Sequence, residues 1–196
     1  MKTIGIIGAG NIGKTVATHL VKKAIPVRIS NSQEPQTLTD TIAQLGNGAT
    51  AVTAAEASGA DIVLLAVPFS KVKDLTHLTD WTGKIVIDAT NHFTPDYQVM
   101  DLGGKASSEV VQALLPGARL VKAFNTLVAK LLAADPVVDN GHRVLFISGD
   151  DQAAKAEVSE LIETLGFAPI DLGSLAVGST YQQAKGTFST LNLIKL

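Results

Sequence analysis

The 196-residue chain contains no cysteine. That absence excludes disulfides, thiol nucleophiles, iron–sulfur clusters and cysteine-ligated zinc. Arginine is scarce, occurring only at Arg28, Arg119 and Arg143, too few for a surface built to grip nucleic-acid phosphates. A net charge of −2 adds no attraction for nucleic acid or anionic membrane. His19, His77, His92 and His142 fall into no HxxxH or HExxH spacing, so no metal site is expected. No stretch approaches the roughly 18 apolar residues of a membrane span. The apolar run Ile4–Gly10 follows Lys2 but is broken by Asn11 and Lys14 and ends in no small-residue cleavage pattern, so it is not read as an export signal. A cytoplasmic protein with neither nucleic acid nor membrane as partner is expected.

What is present is apolar and segmented. Hydrophobic residues make up 46% of the chain, enough for a sizeable core, and glycine is plentiful at 17 residues. Short apolar runs predict strands over Thr3–Ile7, Val27–Ser30, Ala49–Val52, Ile62–Val67, Lys84–Asp88, Arg119–Ala123, Val144–Ser148 and Phe167–Asp171. Several are nearly continuous in Val, Ile and Leu, as in strands covered on both faces. Between them, Asn11–Ala24 places Ile12, Val16 and Leu20 on one helical face. Gln152–Leu165 does the same with Val158, Leu161, Ile162 and Leu165, started by Asp150 or Asp151 and stopped by Gly166. Strand–helix–strand repetition predicts an α/β fold of the Rossmann type: a doubly wound, mostly parallel sheet of about eight strands. Residues 1–173 are expected to form this doubly wound unit. Residues 174–196, with Gly178, Gly186 and a weaker pattern, are expected to be a short C-terminal appendage near the carboxyl edge of the sheet.

Gly8-Ala9-Gly10-Asn11-Ile12-Gly13 follows the first strand and opens the first helix, giving the G-x-G-x-x-G pattern its meaningful context. Gly8 allows the tight turn, Gly10 lets backbone approach a pyrophosphate, and Gly13 lets helix pack on strand, with the helix N-terminus facing the anion. The same letters spell a competing phosphate loop, Gly8-x-x-x-x-Gly13-Lys14-Thr15, and Ile85–Asp88 resembles a strand ending in a magnesium-binding aspartate. A small kinase needs several arginines around the transferring phosphoryl group, so the nucleoside triphosphatase reading ranks second and Lys14 is expected in solvent.

The second strand runs into Ser30-Asn31-Ser32-Gln33-Glu34-Pro35. Where an NAD-binding fold places a carboxylate for the ribose 2′-hydroxyl, this chain offers amide and hydroxyl donors, which favours NADP. Glu34 keeps NAD in play. After the fourth strand come Ala66, Val67 and Pro68, able to line a cofactor. After the fifth and sixth come Thr90-Asn91-His92 and Asn125-Thr126. Amides and hydroxyls suit ribose and carboxamide but do not titrate near neutral pH, so no catalytic acid or base is assigned. His92 reads as a solvated loop histidine rather than a catalytic one.

These residues resemble the NADPH-dependent coenzyme F420 reductase family and its relatives, among them the cytoplasmic domain of ferric-reductase membrane proteins. The resemblance rests on IGIIGAGNIG (4–13), ISNSQEPQTL (29–38), DIVLLAVPF (61–69), GKIVIDATN (83–91), VKAFNT (121–126) and SGDD (148–151). It implies an NADP-binding fold in which hydride passes between nicotinamide and a bound acceptor, often a flavin or deazaflavin, without an enzyme acid or base. By position it implies that Gly8, Ala9, Gly10, Asn11 and Ile12 hold the pyrophosphate and that Asn31 and Ser32 meet the 2′-phosphate. Val67 and Pro68 would line the adenine and ribose side, and Asn91 and Asn125 the nicotinamide side. Many relatives carry an arginine after the SNS segment, where this chain has Gln33. The expected partners are a small-molecule redox acceptor and a second copy of the chain. A non-catalytic NADP-binding regulatory module is the alternative.

Overall fold

A computed structural model describes residues 2–196. The strands expected from apolar runs form at nearly those positions: β1 (Ile4–Ile7), β2 (Val27–Ser30), β3 (Ala49–Ala51), β4 (Ile62–Leu65), β5 (Ile85–Asp88) and β6 (Arg119–Lys122). They lie in the order β3-β2-β1-β4-β5-β6, all parallel, with Ile4 opposite Val27 on one side and Ile62 on the other. This is the doubly wound order of the Rossmann fold, and it reverses direction between β1 and β4.

Period-two alternation divides the apolar residues between two cores. Ile4, Ile6, Ile62, Leu64, Ile85, Ile87 and Val121 face one core with the helix α1 (Asn11–Lys22) and its Val16 and Leu20. Ile7, Val63, Leu65, Val86 and Leu120 face the other, with Trp81, Val111 and Leu115. Covering both faces is why these strands read as continuous hydrophobic runs.

Two helix ends show how local sequence decides. α1 stops at Lys22, two residues short of the expectation. Ala24 takes φ +57° and the Ile25 N–H donates to Leu20 O, because Pro26 cannot extend a helix. The later helix over Gln152–Thr164 is started by Asp151, whose carboxylate accepts from Ala154 N, and is followed by Gly166 at φ +97°.

Among the described residues the sheet has ten strands rather than eight. The additions are Val137–Val138 and Ile194–Lys195, each two residues long, and both pair antiparallel with a long strand over Gly141–Gly149. That long strand meets β6 over only two register pairs, Val121 with Gly149 and Lys122 with Ser148. The gap beyond is closed by a helix of the C-terminal segment, Leu175–Gln182. There the Gln182 amide donates to Phe146 O (2.9 Å) and Lys122 O (3.3 Å) and accepts from Ser148 Oγ (2.6 Å).

Candidate functional site

The turn after β1 is built by two glycines that the fold itself demands. Gly8 has φ +113°, and a Cβ there would sit 2.3 Å from Ala66 O. A Cβ at Gly13 would lie 1.9 Å from Gly8 O, so helix and strand touch only because both are glycine. Gly10 differs. Its φ of −78° suits any residue, and nothing lies within 4 Å of the position a Cβ would take. The protein gives no internal reason for glycine there; the space in front of it is open.

That space faces the start of α1. Gly10 caps the helix without a side-chain bond, and the first turn carries no acidic residue. The leading N–H groups, at Asn11, Ile12 and Gly13, have no carbonyl one turn back to meet, so with the helix dipole they offer an anion site. Lys14 is exposed, as expected of a solvated helix residue.

In front of the turn lies a cleft of about 470 Å³ at the point where strand order reverses. It gathers Gly8, Ala9, Gly10, Asn31, Ser32, Ala66, Val67 and Pro68. To these it adds Ala54, Leu75, Lys71 and Asp74, which the sequence reading did not single out. The last three belong to a short 3-10 segment, Phe69–Leu75, where no helical period marks a face. Asn11 and Ile12 lie beside the cleft on α1 rather than in its wall. Asn31 is largely occupied in shaping its own loop: its amide donates to Thr37 Oγ1 (2.9 Å) and accepts from Gln33 N (2.9 Å). Ser32 is exposed at the rim.

Asn91 and Asn125 lie outside this cleft but meet each other. Asn125 Nδ2 donates to Asn91 Oδ1 (3.1 Å) and Asn91 Nδ2 to the Asn125 carbonyl (3.0 Å). Asn125 Nδ2 also donates to Gln182 O (2.8 Å), while its buried Oδ1 has no protein partner. The preceding residue, Phe124, is buried with φ +63°, a conformation that costs a non-glycine residue about 1–3 kcal/mol. Packing holds this turn and thereby fixes the Asn125 amide.

Beneath the pair is a sealed ionic network. Asp88 and Lys122 are both fully buried, with Nζ donating to Asp88 Oδ2 at 3.2 Å and to Thr90 O at 3.1 Å. Ser108 Oγ (2.6 Å) and Thr90 (N 2.9 Å, Oγ1 2.6 Å) also donate to Asp88. Burial opposes charge on Asp88, but the Lys122 ammonium and these hydrogen bonds outweigh it and hold the carboxyl below its ordinary range. A carboxylate so occupied is not available to magnesium, which removes the triphosphatase reading of Ile85–Asp88. His92 is also not where it was expected. It is 4% exposed, packed edge-on against Phe69, with an unpartnered Nδ1, and burial together with the nearby Lys122 charge lowers its pKa. The following segment folds back, with Met100 N donating to His92 O.

A Rossmann sheet with an open glycine at a helix N-terminus, under a cleft at the strand switch point, defines a dinucleotide-binding protein. Over residues 3–92 the chain matches the model of the family described as NADP oxidoreductase, coenzyme F420-dependent. It is 32% identical to the rat metalloreductase STEAP3 over 176 residues, which is 88% of this chain and 34% of that protein. The chain therefore spans about a third of the length of the curated relatives it matches. Among solved structures, the hypothetical protein SMa0349 from Sinorhizobium meliloti superposes with TM-score 0.95 at 46% identity, covering 100% of this chain and 97% of that one. A candidate F420-dependent NADP-reductase from Arthrobacter sp. FB24 superposes with TM-score 0.78 at 26% identity, covering 89% and 86%. No helix among the described residues is long and apolar enough to cross a membrane.

Proposed function

We propose that the chain is an NADP-dependent oxidoreductase that passes hydride between the nicotinamide and a flavin- or deazaflavin-like acceptor. The observation that carries this reading is the empty space in front of Gly10, at an N-terminus whose amides are free. A pyrophosphate fits such a cradle, and the fold has no other use for glycine there. Bound NADPH would supply the hydride that reduces the acceptor.

The residues of this chain would bind and orient. Gly8, Ala9 and Gly10 approach the pyrophosphate, with the Asn11 and Ile12 amides donating. Ser32 meets the 2′-phosphate, with Asn31 shaping the loop, and Ala66, Val67 and Pro68 line the adenosine. Asn91 and Asn125 supply amide groups for the nicotinamide end. No group there is placed to exchange protons readily: the amides do not titrate, His92 is buried with its pKa lowered by burial and the Lys122 charge, and Asp88 and Lys122 pair out of solvent. Hydride transfer requires none, and orientation alone can bring a large acceleration.

Stopped-flow mixing of the NADPH complex with a flavin, a deazaflavin and a quinone tests the proposal. Rapid loss of nicotinamide absorbance with the flavin or deazaflavin is expected. Tight NADPH binding with oxidation by none of the three would leave the chain a binding module without catalysis.

A further inference from the structure

The second-strand loop is poor in what a phosphate dianion wants. Gln33 carries no charge, and Asn31 spends its carbonyl and one amide proton on the loop itself. Arg28 lies in the same strand but lines a separate groove with Lys2, Thr3 and Pro26, at the amino ends of the strands. Lys14 is on α1, outside the wall of the cleft. One cation does line the cleft together with Asn31 and Ser32. It is Lys71, contributed by the Phe69–Leu75 segment across the switch point.

We propose that Lys71 is the residue that recognises the 2′-phosphate, supplying from the far wall of the cleft the positive charge that the second-strand loop lacks. This rests on the NADP reading above. In the free protein Lys71 pairs with Asp74, one turn along, at 3.4 Å. Their side chains are 65% and 50% exposed, and so open an ion pair is held weakly. The ammonium can leave it for a dianion at little cost. Among the described residues, Asp74 is the only carboxylate in the cleft wall. It opposes a phosphate through like charge while keeping Lys71 near the rim. Lys71 and Asp74 would together set the preference: the lysine draws NADP in, and the aspartate limits how tightly it is held.

Equilibrium titration of NADPH and NADH against the parent, Lys71→Gln, Lys71→Arg and Asp74→Asn, at two salt concentrations, tests this. Lys71→Gln should weaken NADPH about tenfold, the low end for a hydrogen bond to a charged group, and NADH less than about twofold. Lys71→Arg should keep the preference for NADPH. Asp74→Asn should tighten NADPH a few-fold, and the salt dependence of NADPH binding should flatten in Lys71→Gln. Both side chains are exposed, so circular dichroism should show an unchanged fold in all three variants. A Lys71→Gln variant that keeps the parent's NADPH-to-NADH ratio overturns the assignment, as does a parent with no preference. Failure of the parent to bind either dinucleotide instead overturns the reading on which the assignment rests.

Discussion

The Lys122 ammonium and the Asp88 carboxylate meet at 3.2 Å on neighbouring parallel strands, neither with any solvent exposure. The same ammonium donates to Thr90 O, one residue before Asn91. The pair thus ties the ends of β5 and β6 together directly under the two asparagines. Removing one partner strands the other charge in the interior. Lys122→Met is expected to cost about 3–5 kcal/mol in urea unfolding. Combining it with Asp88→Asn should cost less than the two single changes added. A Lys122→Met variant within about 1 kcal/mol of the parent would contradict the buried-pair account.

The glycines of the first turn should separate folding from binding. Gly13→Ala places a methyl 1.9 Å from a carbonyl oxygen and should lower the melting temperature sharply. Gly10→Val puts its Cβ where nothing of the protein lies within 4 Å and should melt within a few degrees of the parent, while its NADPH affinity falls at least about a hundredfold. Thermal melts and fluorescence titration on the same samples check both. Parent-like binding by Gly10→Val would show that the dinucleotide does not lie on this turn.

The loop after β2 should bias the choice of dinucleotide. Ser32→Asp puts a carboxylate at the cleft rim and is expected to shift the NADP-to-NAD affinity ratio toward NAD by about tenfold or more. Gln33→Arg adds a guanidinium able to meet phosphate through two bonds and should shift the ratio the other way. Titration of both dinucleotides decides; a ratio that moves in neither variant removes this loop from ribose recognition.

His92 should make stability depend on pH. Burial and the Lys122 charge depress its folded pKa below the ordinary value of about 6.5, so the unfolded chain binds its proton first. Stability is therefore undiminished above pH 6.5 and falls as pH drops from there through the depressed value. Asp88 adds its own loss only lower, below the ordinary carboxylate pKa of about 4. His92→Asn should flatten the fall of the urea midpoint that begins below about pH 6.5. An unchanged slope there would place the proton uptake elsewhere, His19 being the next candidate because burial lowers its pKa too.

Much of the parallel sheet was legible because its strands are short apolar runs covered on both faces, and because Gly8–Gly13 stands between the first strand and the first helix. The wall of the cleft was half legible. Ala66, Val67 and Pro68 follow directly from the end of β4. Lys71 and Asp74 stand in a 3-10 segment with no face to read. The strands Val137–Val138 and Ile194–Lys195 are too short for any period, and their pairing with the long strand is set by contacts across the chain. Lys122 sits in a run that reads as an ordinary strand, and its partner is 34 positions away, a distance no local pattern spans. His92 looks polar and loop-bound in sequence. It is buried and packed edge-on against Phe69, a contact no local pattern shows.

The bond from Asn125 to the Gln182 carbonyl crosses 57 positions of chain, and it gives the molecule an order of assembly during synthesis. Every residue that lines the cleft, from Ile7 to Leu75, leaves the ribosome early. The asparagine pair cannot reach its final arrangement until the helix ending at Gln182 has emerged and filled the gap between β6 and the strand after it. A nascent chain paused before that helix should already present the glycine turn, yet leave the opposite end of the sheet open. Dinucleotide binding to ribosome-stalled chains of increasing length should then develop in two stages, a weak one once residue 75 is free and the full one only after residue 182.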